Sequence, residues 1–208
     1  MLRIAVFASG KGSNLRAILD AIQEKRIRGA NVVAVISNNS DAGALGIARE
    51  HGIRAVHISR KMFGSDEEFD RELFSVLADA ETNFIVLAGY MKKINPAIVR
   101  AYRNRIVNIH PALLPAFGGS GMYGARVHEA VLASGAKYSG ATVHIVDEAY
   151  DHGPIVLQQQ VEIAPGETPE TLAARIHEVE HTIYPEALRL FAEGKVTINA
   201  HNEVRIAS

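Results

Sequence analysis

An open α/β sheet, mostly parallel and covered by helices on both faces, is the fold class this sequence predicts. Three observations predict it. Short apolar runs rich in β-branched residues alternate with stretches of helical periodicity. A glycine-rich turn, Ser9-Gly10-Lys11-Gly12-Ser13-Asn14, follows the first run directly. A polar cluster, Asn108-Ile109-His110-Pro111, ends the fifth. Alternation of strand and helix builds βαβ units with right-handed crossovers, and parallel strands covered on both faces read as continuous apolar runs.

In chain order, residues 3–8, 32–37, 55–58, 84–87 and 106–109 supply the first strands. Helical patterns fall between them at residues 14–24, 44–51, 67–80 and 96–102, and Leu15, Ile18, Leu19 and Ile22 form an apolar stripe on the first. A glycine-rich connection over residues 110–126 follows, and a loop of that length inside a domain is uncommon and often functional. Two more strands, at 141–146 and 155–161, are joined by residues 147–154. A long helix at 169–193 and a short polar tail close the chain. No repeat, low-complexity tract or linker composition interrupts it, so a single Rossmann-like domain over residues 1–208 is expected.

Bulk properties remove several function classes. The net charge is −1, with 48% hydrophobic and 22% charged residues, so no field draws nucleic acid or an anionic membrane. An anion must therefore be held by a local arrangement of groups. The absence of cysteine excludes disulfides, thiolate nucleophiles and cysteine-rich zinc sites together. The first apolar run is too short for a signal segment, and none approaches the ~18 apolar residues of a membrane span. A cytoplasmic protein acting on small molecules is expected, with a homodimer left open.

The glycine turn between a strand and a helix suits phosphate, because backbone N–H groups at a helix start point toward an anion. Ser13 and Asn14 are also common helix N-caps, so a plain capped turn is the competing reading. A dinucleotide fingerprint is absent: Leu15 stands where its third glycine belongs, and Ser37-Asn38-Asn39 offers no carboxylate for a ribose. Lys11 is not followed by the Ser or Thr of a P-loop. A phosphomonoester fits better than a dinucleotide or ATP.

Asn108 and His110 fall on one side of a strand end, where open α/β sheets bind ligands. An amide can donate to a developing oxyanion, and an imidazole titrates near neutrality. Equally, Asn and His before proline make ordinary turns. Asp151, in Tyr150-Asp151-His152-Gly153-Pro154, could orient the imidazole from the later loop, or could serve only as a turn residue.

Asn108-Ile109-His110-Pro111 with Leu113-Leu114-Pro115, followed by Asp151-His152-Gly153-Pro154, resembles the signature of the folate-dependent formyltransferases. Within that family the Ser9–Asn14 turn is similar to the phosphate loop of members acting on glycinamide ribonucleotide. The resemblance implies transfer of a formyl group from 10-formyltetrahydrofolate, a co-substrate, to the amine of 5-phosphoribosylglycinamide in de novo purine synthesis. It implies Asn108, His110 and Asp151 as the catalytic group, and Gly12, Ser13, Asn14 and Glu180 as contacts to the ribonucleotide. Met91, Lys92, Lys93 and Ile94 would form one folate wall, with Asp147, Glu148, Ala149 and Tyr150 closing from the other side. The N-terminal half would thus hold the phosphate and the C-terminal half contribute to the folate site, with no metal. Many members carry a basic residue near position 66 for the folate tail; this chain has Asp66, with Arg60 and Lys61 as nearby alternatives. His152 is a further titrating group where the family often has Gly or Ala.

Two alternatives remain: hydrolysis of the same folate, and zinc-dependent hydrolysis. The second rests on His177-Glu178-Val179-Glu180-His181, an H-E-x-x-H pattern that puts both histidines on one helical face.

Overall fold

Burial explains the first strands. In β1 (Leu2–Phe7) the run Ile4-Ala5-Val6-Phe7 is fully buried, as a central parallel strand requires. The computed structural model describes residues 1–199 and 201–207. β1 lies between β2 (Ala30–Ser37) and β4 (Phe84–Leu87), parallel to both, and β3 (Arg54–His57) pairs in parallel with β2.

The intervening helices form where an apolar stripe meets a start signal. α1 (Ser13–Gln23) buries Leu15, Ile18 and Leu19, and α2 (Gly43–Glu50) buries Ala44, Leu45, Ile47 and Ala48. α3 (Asp66–Asp79) starts at Ser65, whose hydroxyl accepts from Glu68 N at 3.2 Å. Its first turn carries Asp66, Glu67 and Glu68 against the positive end of the helix dipole. α4 (Pro96–Ala101) starts at Asn95, which accepts from Ala97 N at 2.6 Å, with Pro96 at a position whose N–H lacks a helical partner anyway. These elements make a first compact unit, Met1–Val107.

β5 (Ile106–His110) carries the chain into the second unit, which begins at Asn108. There β6 (Tyr138–Ile145) and β7 (Ile155–Glu162) pair antiparallel, from Tyr138 opposite Glu162 to His144 opposite Ile155, and α6 (Pro169–Ala192) packs against both. α6 begins with a reciprocal cap between Thr168 and Thr171, and buries Leu172, Ile176, Ile183 and Leu188. The strand order is β3-β2-β1-β4-β5-β6-β7, a mixed and mostly parallel sheet with helices on both faces, as expected.

Two expectations need correction. The connection expected over residues 110–126 gives way at its end to α5 (Ala125–Ala133), whose Val127, His128 and Val131 are buried. The polar tail is in part a hairpin, β8 (Val196–Ile198) with β9 (Val204–Ile206). Its turn is built by Asn199, whose Oδ1 accepts from His201 N at 2.9 Å and Glu203 N at 3.0 Å. No helix among the described residues is long and apolar enough to cross a membrane.

Candidate active site

The end of β5 places Asn108, half-buried, and His110, 3% exposed, on one side of the strand. The turn after it is stapled by a buried hydroxyl. Thr142 Oγ1, on β6, donates to Ala112 O at 2.6 Å and accepts from Leu114 N at 3.1 Å, while Gln158 Nε2 donates to Leu114 O at 3.0 Å. These bonds satisfy backbone groups that would otherwise be buried without partners.

Asp151 arrives on the loop between β6 and β7, in a left-handed backbone conformation with φ 53°. The loop is closed by Ile145 N donating to Pro154 O at 2.9 Å. Gly153 makes that closure possible, since a Cβ there would lie 1.9 Å from the Ile145 carbonyl oxygen. Asp151 Oδ2 accepts from Gly119 N at 2.9 Å and lies 3.6 Å from His110 Nδ1; Oδ1 lies 3.5 Å from His144 Nε2. The structure therefore brings Asn108, His110 and Asp151 together inside the second unit, and adds His144, which the sequence reading missed. His144 Nε2 is 3.1 Å from Asn108 Nδ2, and its Nδ1 is 2.9 Å from Ile145 O. The available signal was positional: a histidine in an apolar strand, two residues after Thr142.

Tautomers follow from the carbonyls. His110 Nε2 faces Phe117 O at 2.9 Å, so that nitrogen carries the proton and donates. Its other nitrogen faces Asp151. Burial pushes the His110 pKa below the ordinary imidazole value; Asp151 and the Phe117 carbonyl push it up, His144 pushes it down, and burial prevails. For Asp151, burial acts upward, but the His144 contact, the His110 charge and the Gly119 N–H outweigh it and hold its pKa below the usual carboxylate value. A committed carboxylate beside an imidazole easily deprotonated is an arrangement that can move protons near neutrality.

The other expected residues fall as follows. In the first unit, Gly12 precedes α1 with φ 85°, and a Cβ there would meet Ala44 Cα at 2.8 Å. Ser13 is exposed and Asn14 buried; the N-cap position of α1 is Gly12, which makes no side-chain cap bond. Ser9 ties this loop to the segment after β4: its hydroxyl donates to Asn38 Oδ1 and accepts from Met91 N at 2.9 Å. Met91, Lys92 and Lys93 are exposed, whereas Ile94 is in the core. Arg60 is held by Asp66 and by the Phe63 carbonyl. In the second unit, Asp147 accepts from Ala149 N at 2.9 Å and from His152 Nδ1 at 2.9 Å, and Glu148, Ala149 and Tyr150 are exposed. Glu180 is buried on α6, with His177 Nε2 at 3.9 Å. His177 and His181 stack with centroids 6.4 Å apart, but Glu178, the acid of the H-E-x-x-H pattern, is exposed. Among the described residues no group of three His, Cys, Asp or Glu is placed to hold a metal ion.

A family model described as formyl transferase matches residues 2–188, a span that includes the glycine turn, Asn108, His110 and Asp151. The chain belongs to the formyl transferase family. Among its relatives, the Escherichia coli K12 phosphoribosylglycinamide formyltransferase is 38% identical over 95% of this chain and 91% of its own length. The chloroplastic phosphoribosylglycinamide formyltransferase of Arabidopsis thaliana is 44% identical over 93% of this chain, which spans just under two thirds (66%) of that protein. The crystal structure of glycinamide ribonucleotide transformylase 1 from Symbiobacterium toebii superposes with a TM-score of 0.92 at 43% identity, covering 100% of this chain and 95% of that one. The fold is thus that of a formyl transferase.

Proposed function

We propose that the chain transfers the formyl group of 10-formyltetrahydrofolate to the primary amine of 5-phosphoribosylglycinamide, yielding the N-formyl product and tetrahydrofolate in de novo purine synthesis. The observation that carries this reading is the convergence of Asn108, His110 and Asp151 beside a strand end, with Asp151 fixed by the Gly119 N–H at 2.9 Å. The amine nitrogen attacks the formyl carbon and the carbonyl becomes an alkoxide. Asn108 Nδ2 donates to that oxygen. The carbonyl then re-forms, the bond from carbon to folate N10 breaks, the amine loses a proton and N10 gains one. His110 acts as the imidazolium, with Nδ1–H toward Asp151: its Nε2 gives a proton to N10 and, once deprotonated, takes the proton that the amine loses. No step draws on a metal or on a covalent enzyme intermediate. Holding the two substrates in line supplies much of the acceleration.

Gly12, Ser13 and Asn14 hold the ribonucleotide phosphate in this reading, and Glu180 its ribose. Met91, Lys92, Lys93 and Ile94, with Asp147, Glu148, Ala149 and Tyr150, supply the folate site. The enzyme works on small molecules in the cytoplasm, as a monomer or a homodimer. The support for the phosphate role is the Gly12 conformation together with the helix start at Ser13.

The test is an assay with both substrates that follows folate deformylation and amine formylation separately. Equal rates of the two support transfer. Folate loss without formylated amine would mean that water takes the place of the amine, which makes the chain a hydrolase. A companion variant, Ser13→Ala with Asn14→Ala, is expected to raise KM for the ribonucleotide far more than KM for the folate. Equal rises would reduce the loop to a structural turn.

A further inference from the structure

His144 touches two of the three residues assigned to the chemistry, and the chemistry above gives it no part. It is 2% exposed, near the end of β6. Its Nδ1 lies 2.9 Å from the Ile145 carbonyl oxygen, which can only accept, so Nδ1 carries a proton. Its Nε2 lies 3.1 Å from Asn108 Nδ2, an amide nitrogen that can only donate. The two contacts agree on one state: a neutral ring, protonated at Nδ1, accepting from Asn108.

Asp151 Oδ1 stands 3.5 Å from the same Nε2, and His110 completes the set of charged groups around the carboxylate. A single ring nitrogen cannot serve both neighbours. Were Nε2 protonated it would donate to Asp151, and the Asn108 N–H would then face another N–H. The amide would have to turn over and present its oxygen. The state of His144 and the direction of the Asn108 amide are therefore coupled. The donating His144 that steadies the Asp151 charge is thus the state in which Asn108 loses its acceptor.

We propose that His144 is a positioning residue for formyl transfer. By accepting one N–H of Asn108 it fixes the amide, so that the second N–H remains available to the reacting oxygen. The proposal rests on the reading of Asn108 as oxyanion donor, and its test separates the two.

The first arm needs no substrate. Nitrogen NMR of protein labelled at His and Asn is expected to show His144 Nε2 as an unprotonated nitrogen at neutral pH. A scalar coupling across the hydrogen bond to Asn108 Nδ2 is expected with it. A protonated Nε2 without coupling would overturn the proposal whatever the reaction proves to be. The second arm compares His144→Leu with His144→Gln in the full chain. The leucine variant should lose about 10- to 100-fold in kcat, with KM for both substrates nearly unchanged, because a displaced catalytic donor costs rate. The glutamine variant, whose Oε1 can accept from Asn108, should recover most of that loss. Equal losses in the two variants, or a loss confined to KM, would defeat the positioning role. If the leucine variant does not fold, the glutamine variant and the NMR arm decide between the same outcomes. An inactive wild type with the coupling intact would count against the proposed reaction alone.

Discussion

Asp151 is where the most effects meet: a left-handed backbone, a backbone N–H on one oxygen and an imidazole facing each side. Its charge is one of the few influences that raise the His110 pKa against burial. Asp151→Asn keeps the shape and deletes the charge, so turnover is expected to fall steeply while both substrates still bind. The His110 titration, followed through its ring proton by NMR, is expected at lower pH in the variant, because burial then acts with less opposition. An unmoved titration with normal turnover would leave Asp151 as a turn residue only. How far the sequence reveals this centre differs by residue. Asn108, His110 and Asp151 sit in recognisable strings, whereas His144 lies within the apolar strand Ala141-Thr142-Val143-His144-Ile145 and carries no motif. Its meaning comes from a partner 36 positions away in the chain, and no local pattern encodes that.

Among elements, β6 does more than add a strand. Thr142, fully buried on it, satisfies Ala112 O and Leu114 N and takes a further bond from Gln158 Nε2 at 2.9 Å. Thr142→Val keeps the volume but strands those backbone groups, so a loss of about 1–3 kcal/mol is expected in urea unfolding. A value near zero would show that the turn relaxes to find other partners. Legibility at this scale follows burial. β4 could be read to the residue because Phe84, Ile85, Val86 and Leu87 are buried without a break. α5 could not: it is 9 residues long, follows a glycine-rich stretch, and has a histidine among its buried positions. β8 and β9 are 3 residues each and depend on a turn held by one asparagine side chain, a signal too local for periodicity to reveal.

Over the whole molecule, the near-neutral net charge of −1 gives no long-range field, so its response to pH comes from particular buried groups. Burial holds His110, His128 and His181 below the ordinary histidine value of 6.5. Each of them is protonated more readily in the unfolded chain. Their contribution to stability is complete above that ordinary value and is lost as pH falls from there through the lower folded values. Melting temperature is therefore expected to be flat from pH 8 to about 7 and to drop below about 6.5, with the drop reduced in His128→Gln. A flat profile to pH 5 would contradict the burial of these rings. The closure of the Asp151 loop has a consequence for heredity as well. If positions 152 and 153 were randomised together and clones were kept only for soluble expression, position 152 should return nearly every side chain. His152 is exposed, and its bond to Asp147 is of the kind worth little. Position 153 should return glycine alone, since any larger residue meets the Ile145 carbonyl. Neighbouring codons would then drift at very different rates for a reason unconnected with catalysis, and a glycine retained two positions after Asp151 would record a steric limit.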